Sequence, residues 1–197
     1  MDFYRTIAAT SEGLYKEKMS KFISFAVPAA SVEEAKEIIK LYQNEYHDAR
    51  HVCWAYMIGT QRDQYLSSDN GEPSGTAGKP ILGQINSFNL TNIVIVVVRY
   101  FGGIKLGTSG LIEAYRAAAA DAITNGTILE CHEQTQVRFS FDYLAMNDVM
   151  KVMKSSNLRI LSQDFDNTCS MTVELDLDAA PALKTRLMGI DSLVVEE

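Results

Sequence analysis

The first regular arrangement of apolar residues begins at Lys21. The segment KFISFAVPA has the composition of a strand, and Pro28 ends it. The residues before Lys21 have no such pattern, so we predict an opening loop there. The next segment, SVEEAKEIIKLYQNEY, places apolar residues at helical spacing. Ser31 and Glu34 stand three residues apart, which is the spacing of a capping box at the start of a helix.

A continuous β-branched run, NIVIVVV, predicts a central strand buried on both faces of a sheet. Before it, HVCWAYMIG and QYLSS predict two strands joined by a polar turn. Pro80 suits the first turn of a short helix through ILGQINSF, because its missing N–H is no loss there. After the β-branched run, an alanine-rich segment with one apolar stripe predicts a helix that ends at Asn125-Gly126.

The last third of the chain predicts a second arrangement of strands and helices. QVRFSFDY alternates as a strand does, and LAMNDVMKVMKSSN has a methionine-rich helical stripe. LRILSQDF and CSMTVELDL predict strands about a turn at Asp166-Asn167, followed by a short helix and a last strand. The order β-α-β-β-α-β is the ferredoxin-like motif. We therefore predict an α+β fold with two domains, residues 1–132 and 133–197, joined near Cys131 to Glu133.

Composition is that of an ordinary globular chain, with 197 residues, 47% apolar and 22% charged. No apolar run approaches the roughly 20 residues that span a bilayer, and the start lacks the layout of a signal peptide. We therefore predict a cytoplasmic location and no membrane partner. Cys53, Cys131 and Cys169 are widely spaced, and we expect free buried thiols rather than a disulfide framework or a zinc site.

The net charge of −7 is unevenly distributed. Up to Cys131 there are 12 Lys and Arg against 14 Asp and Glu, a balance of −2; beyond it there are 6 against 11, a balance of −5. The chain therefore lacks the overall basic surface that broad, non-specific nucleic-acid binding requires. A local cationic site in the first part of the chain stays possible.

Two glycine-rich loops flank the β-branched strand, DNGEPSGTAGKP before it and RYFGGIKLGTSG after it. In the second loop, Arg99 and Lys105 add positive charge beside a helix start, where backbone N–H groups are free and favour anions. Tyr100 or Phe101 could stack on a base. The loop lacks the spacing of a standard nucleotide-binding motif. The alternative is a tight turn with aromatic residues that fill the core.

In the first loop, Asp69 and Glu72 could hold a metal, act in acid–base chemistry, or pair with Arg99 and Lys105. The third option is the simplest, so we expect the two loops to meet with one such ion pair. The loops would then either bind a ligand or only hold each other. The candidate ligand-binding residues are Asp69, Gly71, Glu72, Gly75, Thr76, Gly78, Arg99, Tyr100, Phe101, Gly102, Gly103, Lys105 and Gly107.

Catalytic motifs give little support for an enzyme. His51 and Cys53 are weaker candidates, either as a nucleophilic Cys–His pair or as packed residues. The serines lack a nucleophile elbow, and no histidine or cysteine spacing indicates a metal site. We predict no catalytic residue, cofactor or metal, and we favour a protein without enzymatic activity.

The segments SSDNGEPSGTAGKPIL and NIVIVVVRYFGGIKLGTSGLIEAYRAAA resemble the two signature blocks of the IMPACT family, whose bacterial members are called YigZ-like. ARHVCWAY resembles a third block. The resemblance implies an N-terminal domain, a βαβ-type sandwich, similar to the second domain of a small-subunit ribosomal protein. It also implies a ferredoxin-like C-terminal domain similar to the last domain of elongation factor G. Two residues depart from the family pattern, Asn70 in place of Asp and Glu113 in place of Arg.

The resemblance implies a translation-related role, since eukaryotic relatives are translation regulators. Our leading hypothesis is a non-enzymatic binding protein of translation or stress regulation that contacts RNA, the ribosome or a translation factor through the glycine-rich loops. One alternative is a small-molecule or nucleotide-binding enzyme that uses the cleft between the loops, with Asp69, Glu72 and His51 as acid–base groups. The other is a protein–protein adaptor whose contact surface is the acidic C-terminal domain.

Overall fold

The computed structural model describes residues 3–165 and 168–196. It is a mixed α+β fold, as predicted, and the chain forms two compact units, one of residues 4–131 and one of Phe3 together with residues 132–165 and 168–196. The predicted turn at Asp166-Asn167 lies outside the described residues. Within the described ranges, no helix is long and apolar enough to cross a membrane.

The first part of the chain is built on an antiparallel five-stranded sheet with helices on both faces. The strands in this part of the chain are β1 (Phe3–Ile7), β2 (Ser11–Glu17), β3 (Ser20–Pro28), β4 (His51–Ile58), β5 (Gln64–Ser68), β6 (Ile93–Tyr100) and β7 (Ile128–His132). Its helices are α1 (Val32–Glu45), α2 (Gly78–Ser87) and α3 (Gly107–Asn125). The sheet has the order β2-β3-β6-β4-β5, and β1 pairs with β7 in a separate two-stranded sheet.

Strand β6 is the centre of this sheet, as the β-branched run predicts. Every side chain from Ile93 to Val98 is buried, because α1 covers one face of the sheet and α2 with α3 covers the other. Ile93, Ile95 and Val97 pack toward α2 and α3, whereas Val94, Val96 and Val98 pack toward α1. The strand therefore delivers Arg99 and the following loop from a fixed position.

The predicted ends of the helices are confirmed by their caps. The Ser31 side chain accepts a hydrogen bond from the backbone N–H of Glu34 at 3.1 Å, which caps the N-terminus of α1. Pro80 lies in the first turn of α2, and α3 ends at Asn125 with Gly126 as its C-cap. Local sequence signals therefore mark the start of α1 and the end of α3.

The prediction of an opening loop before Lys21 is wrong, because β1 and β2 are both strands. β2 pairs with β3 along its whole length, yet its sequence is mostly polar and contains Gly13. A Cβ atom at Gly13 would lie 2.4 Å from the backbone nitrogen of Ala122 in α3. The glycine therefore permits close packing of strand on helix, although in the sequence it resembles a strand breaker.

The second unit has the predicted element order β-α-β-β-α-β. Its elements are β8 (Gln134–Phe141), α4 (Met146–Lys154), β9 (Arg159–Phe165), β10 (Cys169–Asp176), α5 (Ala180–Met188) and β11 (Val194–Glu196). The strands form an antiparallel sheet in the order β11-β8-β10-β9. The alternating apolar residues of β8 and β10 form one core with Val149, Met153, Leu183 and Leu187 of the two helices.

The three cysteines are free thiols, as expected. Cys53 and Cys169 are buried, but Cys131 is only half-buried, so the prediction of three buried thiols is wrong at that position. Cys131 lies in β7, which pairs on one side with β1 in the small two-stranded sheet. A two-stranded sheet covers its side chains less completely than the five-stranded sheet covers Cys53.

Candidate functional site

The two glycine-rich loops meet through a buried ion pair, as the complementary charges predict. Nη1 of Arg99, at the end of β6, donates to Oε1 of Glu72 at 2.6 Å. The side chains of Arg99 and Glu72 are only 6% and 3% exposed. His51 of β4 pairs in register with Arg99 and lies on the same face of the sheet. Its Nε2 is 3.8 Å from Oε2 of Glu72.

Two further residues connect Glu72 to the core of the first unit. The hydroxyl of Tyr115 in α3 donates to Oε1 of Glu72 at 2.8 Å. Sγ of Cys53 lies 3.3 Å from that hydroxyl oxygen and 2.9 Å from the carbonyl oxygen of Asp69. Burial is the main reason that the pKa of the Tyr115 hydroxyl is raised, and the nearby Cys53 and Glu72 add to the shift. Tyr115 is therefore a neutral hydrogen-bond donor.

The structure argues against Cys53 as a nucleophile. The pKa of the Cys53 thiol is raised to about 12, chiefly by burial; the Tyr115 hydrogen bond and Arg99 act to lower this pKa, whereas Glu72 and Asp69 act to raise it. The reactive form of cysteine is the thiolate, which this thiol does not reach at neutral pH. Cys53 is therefore a packed core residue, and its complete burial does not favour the hypothesis of a nucleophilic Cys–His pair.

His51 is oriented by the tight turn of the first loop. Its Nδ1 lies 2.8 Å from the carbonyl oxygen of Asn70, so Nδ1 carries a hydrogen and donates it. Asn70 and Gly71 both have positive φ, 41° and 84°, which is the conformation that an Asn-Gly turn adopts. The turn thus directs the other ring nitrogen, Nε2, toward Glu72.

Among the described residues, Asp69 forms no ion pair with Arg99 or Lys105, and it organises the first loop instead. Its carboxylate accepts backbone N–H groups of Gly75 at 2.8 Å, Ala77 at 3.0 Å and Gly78 at 2.8 Å. Burial alone would raise the pKa of Asp69, but these three donors and Lys79 outweigh it, so the pKa is lowered. The Asp69 carboxylate is therefore used in hydrogen bonds to the first loop and to the start of α2, and we do not expect it to act in acid–base chemistry.

The guanidinium of Arg99 contacts two aromatic rings. Its Cζ is 5.5 Å from the ring centroid of Phe22 and 5.5 Å from that of Phe101. These contacts, together with Glu72, fix the plane of the guanidinium. Nε of Arg99 is buried and has no hydrogen-bond partner among the described residues. The Phe22 ring is fully buried, whereas the Phe101 ring is 45% exposed to solvent.

Beside this network is a cavity of about 470 Å³, which we call the loop cavity. It is lined by Arg50, His51, Glu72, Pro73, Arg99, Phe101, Lys105, Leu106, Gly107, Thr108 and Leu111. The lining combines three permanent cations with one carboxylate, which is already paired with Arg99. The first turn of α3 contributes Gly107 and Thr108, and no side chain caps this helix end within the described chain.

The structure brings six of the predicted site residues to the loop cavity. These are His51, Glu72, Arg99, Phe101, Lys105 and Gly107. The others do not line it: Cys53, Asp69, Gly71, Gly75, Thr76, Gly78, Tyr100, Gly102 and Gly103. Tyr100 lies in register with Lys21 and follows Arg99 on the strand, so its side chain points to the opposite face of the sheet. Its hydroxyl donates to Asp48 at 3.0 Å.

Gly102 has a structural role. A Cβ atom there would lie 2.1 Å from the backbone carbon of Met19, in the turn between β2 and β3. The backbone N–H of Gly102 also donates to the Ser20 hydroxyl at 3.2 Å. Gly102 therefore packs the second loop directly on this turn, and the loop starts from a fixed position.

Sequence reasoning missed several residues of the cavity and its supporting network. These are Arg50, Leu106, Leu111 and Tyr115. Leu111 and Tyr115 belong to the apolar stripe of α3, which gave no sign that Tyr115 also donates to a carboxylate. Arg50 directly precedes His51, and its backbone N–H donates to the carbonyl of Arg99. The position of Arg50 next to His51 was the sequence signal that a third cation would lie near the loops.

Comparison with known proteins agrees with these observations. The family model described as the Impact N-terminal domain matches residues 18–123, which include both glycine-rich loops. The IMPACT family member YigZ of Escherichia coli is 34% identical over 160 residues, covering 80% of this chain and 78% of that protein. An IMPACT family member of Haemophilus influenzae is 34% identical over 175 residues, covering 86% and 84%.

Among solved structures, one described only as a hypothetical protein is 30% identical to this chain. The TM-score is 0.73, and the match covers 99% of this chain and 97% of the other. The similarity thus extends over both units and includes the residues that form the loop cavity. The chain belongs to the IMPACT family.

Proposed function

We propose that this protein is a non-enzymatic binding protein of translation or stress regulation and that it contacts RNA, free or in the ribosome, through the loop cavity. The observation that carries the proposal is the combination of cations, a helix N-terminus and an exposed aromatic ring in one concave site. Single-stranded nucleic acid is bound by this combination, with cations along the backbone and aromatic rings under the bases.

The charges of the cavity favour a polyanion. Glu72 neutralises Arg99, whereas Arg50 and Lys105 are exposed and leave the cavity with an excess of positive charge. The uncapped N-terminus of α3 adds partial positive charge. Such a local site is compatible with the acidic chain as a whole, because phosphate contacts depend on the charges within about a Debye length.

The translation-related role is supported by the family to which the chain belongs. We also propose that residues 1–132 and 133–197 are separate domains. The first would be similar to the second domain of a small-subunit ribosomal protein, and the second to the last domain of elongation factor G. The β-α-β-β-α-β order and the sheet order β11-β8-β10-β9 support the second comparison.

A second candidate is a small-molecule or nucleotide-binding enzyme. The volume of the loop cavity is within the usual range for small ligands, and His51 and Glu72 lie together in its wall. An enzyme that binds its substrate here should be stabilised against heat by a free small molecule. An RNA-binding protein should instead show affinity that falls steeply with salt.

The test is binding of a short single-stranded RNA to the whole chain at about 50 and about 200 mM salt. Lys105→Gln should weaken binding and lower the slope of log K against log salt by about 0.7, the value for one lost phosphate contact. Phe101→Ala should weaken binding at both salt concentrations, because base stacking is lost. Lys154→Gln, an exposed lysine of α4, is the matched control and should bind as the unmodified protein does. An RNA affinity that changes neither with salt concentration nor with the Lys105→Gln substitution would contradict the proposal.

A further inference from the structure

We propose that the RNA-binding surface continues from the loop cavity across the turn between β2 and β3. The residues that would contact the RNA there form what we call the turn patch: Lys16, Lys18, Met19 and Lys21, all of them exposed. The proposal rests on the RNA-binding function and adds a second contact region, which a strand longer than the loop cavity can hold would reach.

The first observation is the backbone of the turn. Lys18 and Met19 are its two central residues, and their φ angles of 44° and 64° lie in the left-handed region. A two-residue hairpin turn with positive φ at both positions is normally formed by Asn-Gly or Asp-Gly. Lysine and methionine are strained in this conformation, and the Met19 side chain is 83% exposed, so packing does not compensate for the strain. We therefore assign these two side chains to a ligand.

The second observation is the charge around the turn. Lys16 and Lys21 are directly opposite each other on β2 and β3, and Lys18 lies at the tip between the strands. None of the three forms an ion pair within the part of the chain that the structure describes. Glu17, the carboxylate between them, is half-buried and accepts a hydrogen bond from the Tyr15 hydroxyl at 3.4 Å. Like charges in opposite positions destabilise a sheet, and a bound polyanion would relieve their repulsion.

The second glycine-rich loop connects the turn patch to the loop cavity. Gly102 lies so close to the backbone of Met19 that a Cβ atom at Gly102 would be 2.1 Å from it. The backbone N–H of Gly102 also donates to the Ser20 hydroxyl at 3.2 Å. Phe101, which lines the cavity and is 45% exposed, directly precedes Gly102 in the chain. The surface from the aromatic ring in the cavity to the tip of the turn is therefore continuous.

The positions of the cations favour RNA over an anionic membrane, which also binds surfaces of lysine and exposed apolar residues. Lys21 is in register with Tyr100 and lies on the face of the sheet opposite Arg99, whereas Lys105 lines the cavity that contains Arg99. A flat bilayer contacts one side of a protein. A flexible single strand can follow cations around the end of the sheet.

The test compares two single-stranded RNAs of about 3 and about 12 nucleotides, each titrated into the whole chain at about 100 mM salt. Lys18→Gln should weaken binding of the longer RNA at least about threefold and lower its slope of log K against log salt by about 0.7, because one phosphate contact is lost. Binding of the shorter RNA, which the loop cavity can hold by itself, should not change. Lys36→Gln, at an exposed lysine of α1, is the matched control and should leave both affinities unchanged.

A second variant separates a role in binding from a role in folding. Lys18→Asn together with Met19→Gly introduces the residues that this turn conformation favours. It should raise the melting temperature by about 2–4 °C, because the strain is relieved. It should also weaken binding of the longer RNA, so the loss of affinity cannot come from unfolding. A more stable protein that keeps its full affinity for the longer RNA would overturn the proposal.

The remaining outcomes distinguish this proposal from the RNA-binding function on which it rests. If Lys105→Gln weakens binding of both RNAs and Lys18→Gln affects neither, the turn patch is overturned and the RNA-binding function of the loop cavity stays. If the longer RNA depends on Lys18 but not on Lys105, the turn patch is supported and the loop cavity is overturned as the RNA site. Affinity for phosphatidylserine vesicles that depends on Lys18, with no affinity for either RNA, would overturn both.

Discussion

The carboxylate of Glu72 and the guanidinium of Arg99 lie 27 positions apart in the chain, and they meet at 2.6 Å in the interior of the first unit. This ion pair joins the two glycine-rich loops. Tyr115 shares the same carboxylate oxygen, at 2.8 Å, so the pair also attaches both loops to α3. The loops therefore hold each other, and the loop cavity lies beside the residues that hold them.

Glu72→Gln should destabilise the protein by about 3 kcal/mol, because it leaves the Arg99 charge buried without a counter-charge. The measurement is urea unfolding at neutral pH. Glu113→Gln is the matched control, since Glu113 forms only an exposed pair with Arg116 and should change stability by less than about 0.5 kcal/mol. Equal, small effects of the two substitutions would mean that the ion pair does not support the loops.

The Asp69 carboxylate should make stability depend on acid pH. Because its pKa is lowered by folding, its contribution is present above the unfolded value of about 3.8 and is lost as pH falls through the lower folded value. Asp69→Asn should cost about 1 kcal/mol near pH 6, as for a lost cap. The difference between the two proteins should shrink below about pH 4. A difference in unfolding free energy that stays constant down to the lowest pH would show that the charge of Asp69 is unimportant.

Thiol labelling should distinguish the three cysteines. Cys131 is half-buried and should react with a thiol reagent in the native protein at neutral pH. Cys53, whose pKa is raised to about 12, and the buried Cys169 should react only after unfolding. Mass spectrometry of the labelled peptides gives the order of reaction. Rapid native labelling of Cys53 would return it to the set of candidate nucleophiles.

Two glycine substitutions should have opposite effects. Gly102→Ala would place a Cβ atom 2.1 Å from the backbone of Met19 and should destabilise the protein by about 2 kcal/mol. Gly83→Ala lies inside α2 with nothing within 4 Å of the new methyl group, and should stabilise by about 0.5–1 kcal/mol. Thermal melting of both variants is the measurement. A stable Gly102→Ala protein would show that the second loop does not pack on the β2–β3 turn as described.

Much of the fold could be predicted from short-range patterns. The β-branched run of β6 and the alanine-rich stripe of α3 each extend over many residues. Contacts with the rest of the chain therefore did not change the secondary structure that these patterns predict. β2 was missed because only Gly13 among its residues is buried, and a glycine carries no hydrophobic signal. Gly13 is required because the backbone of α3, which is distant in sequence, packs closely against it.

The candidate site was predictable in part for the same reason. Opposite charges on two loops around one strand predicted that Glu72 or Asp69 would pair with Arg99 or Lys105. The sequence could not show which carboxylate does so, because Asp69 is occupied by three backbone N–H groups that only the folded loop brings together. Arg50 was missed because its place in the cavity depends on how the start of β4 lies beside the second loop.

The claim that the loop cavity is the ligand site is tested most directly by following backbone amide signals by NMR while a short single-stranded RNA is added to the whole chain. The amides of Gly107 and Thr108 should shift most, together with those of Phe101 and Lys105, and the shifts should be lost when Lys105 is replaced by Gln. Shifts confined to residues 134–165 and 168–196, with the amides of Gly107 and Thr108 unchanged at saturation, would contradict the claim.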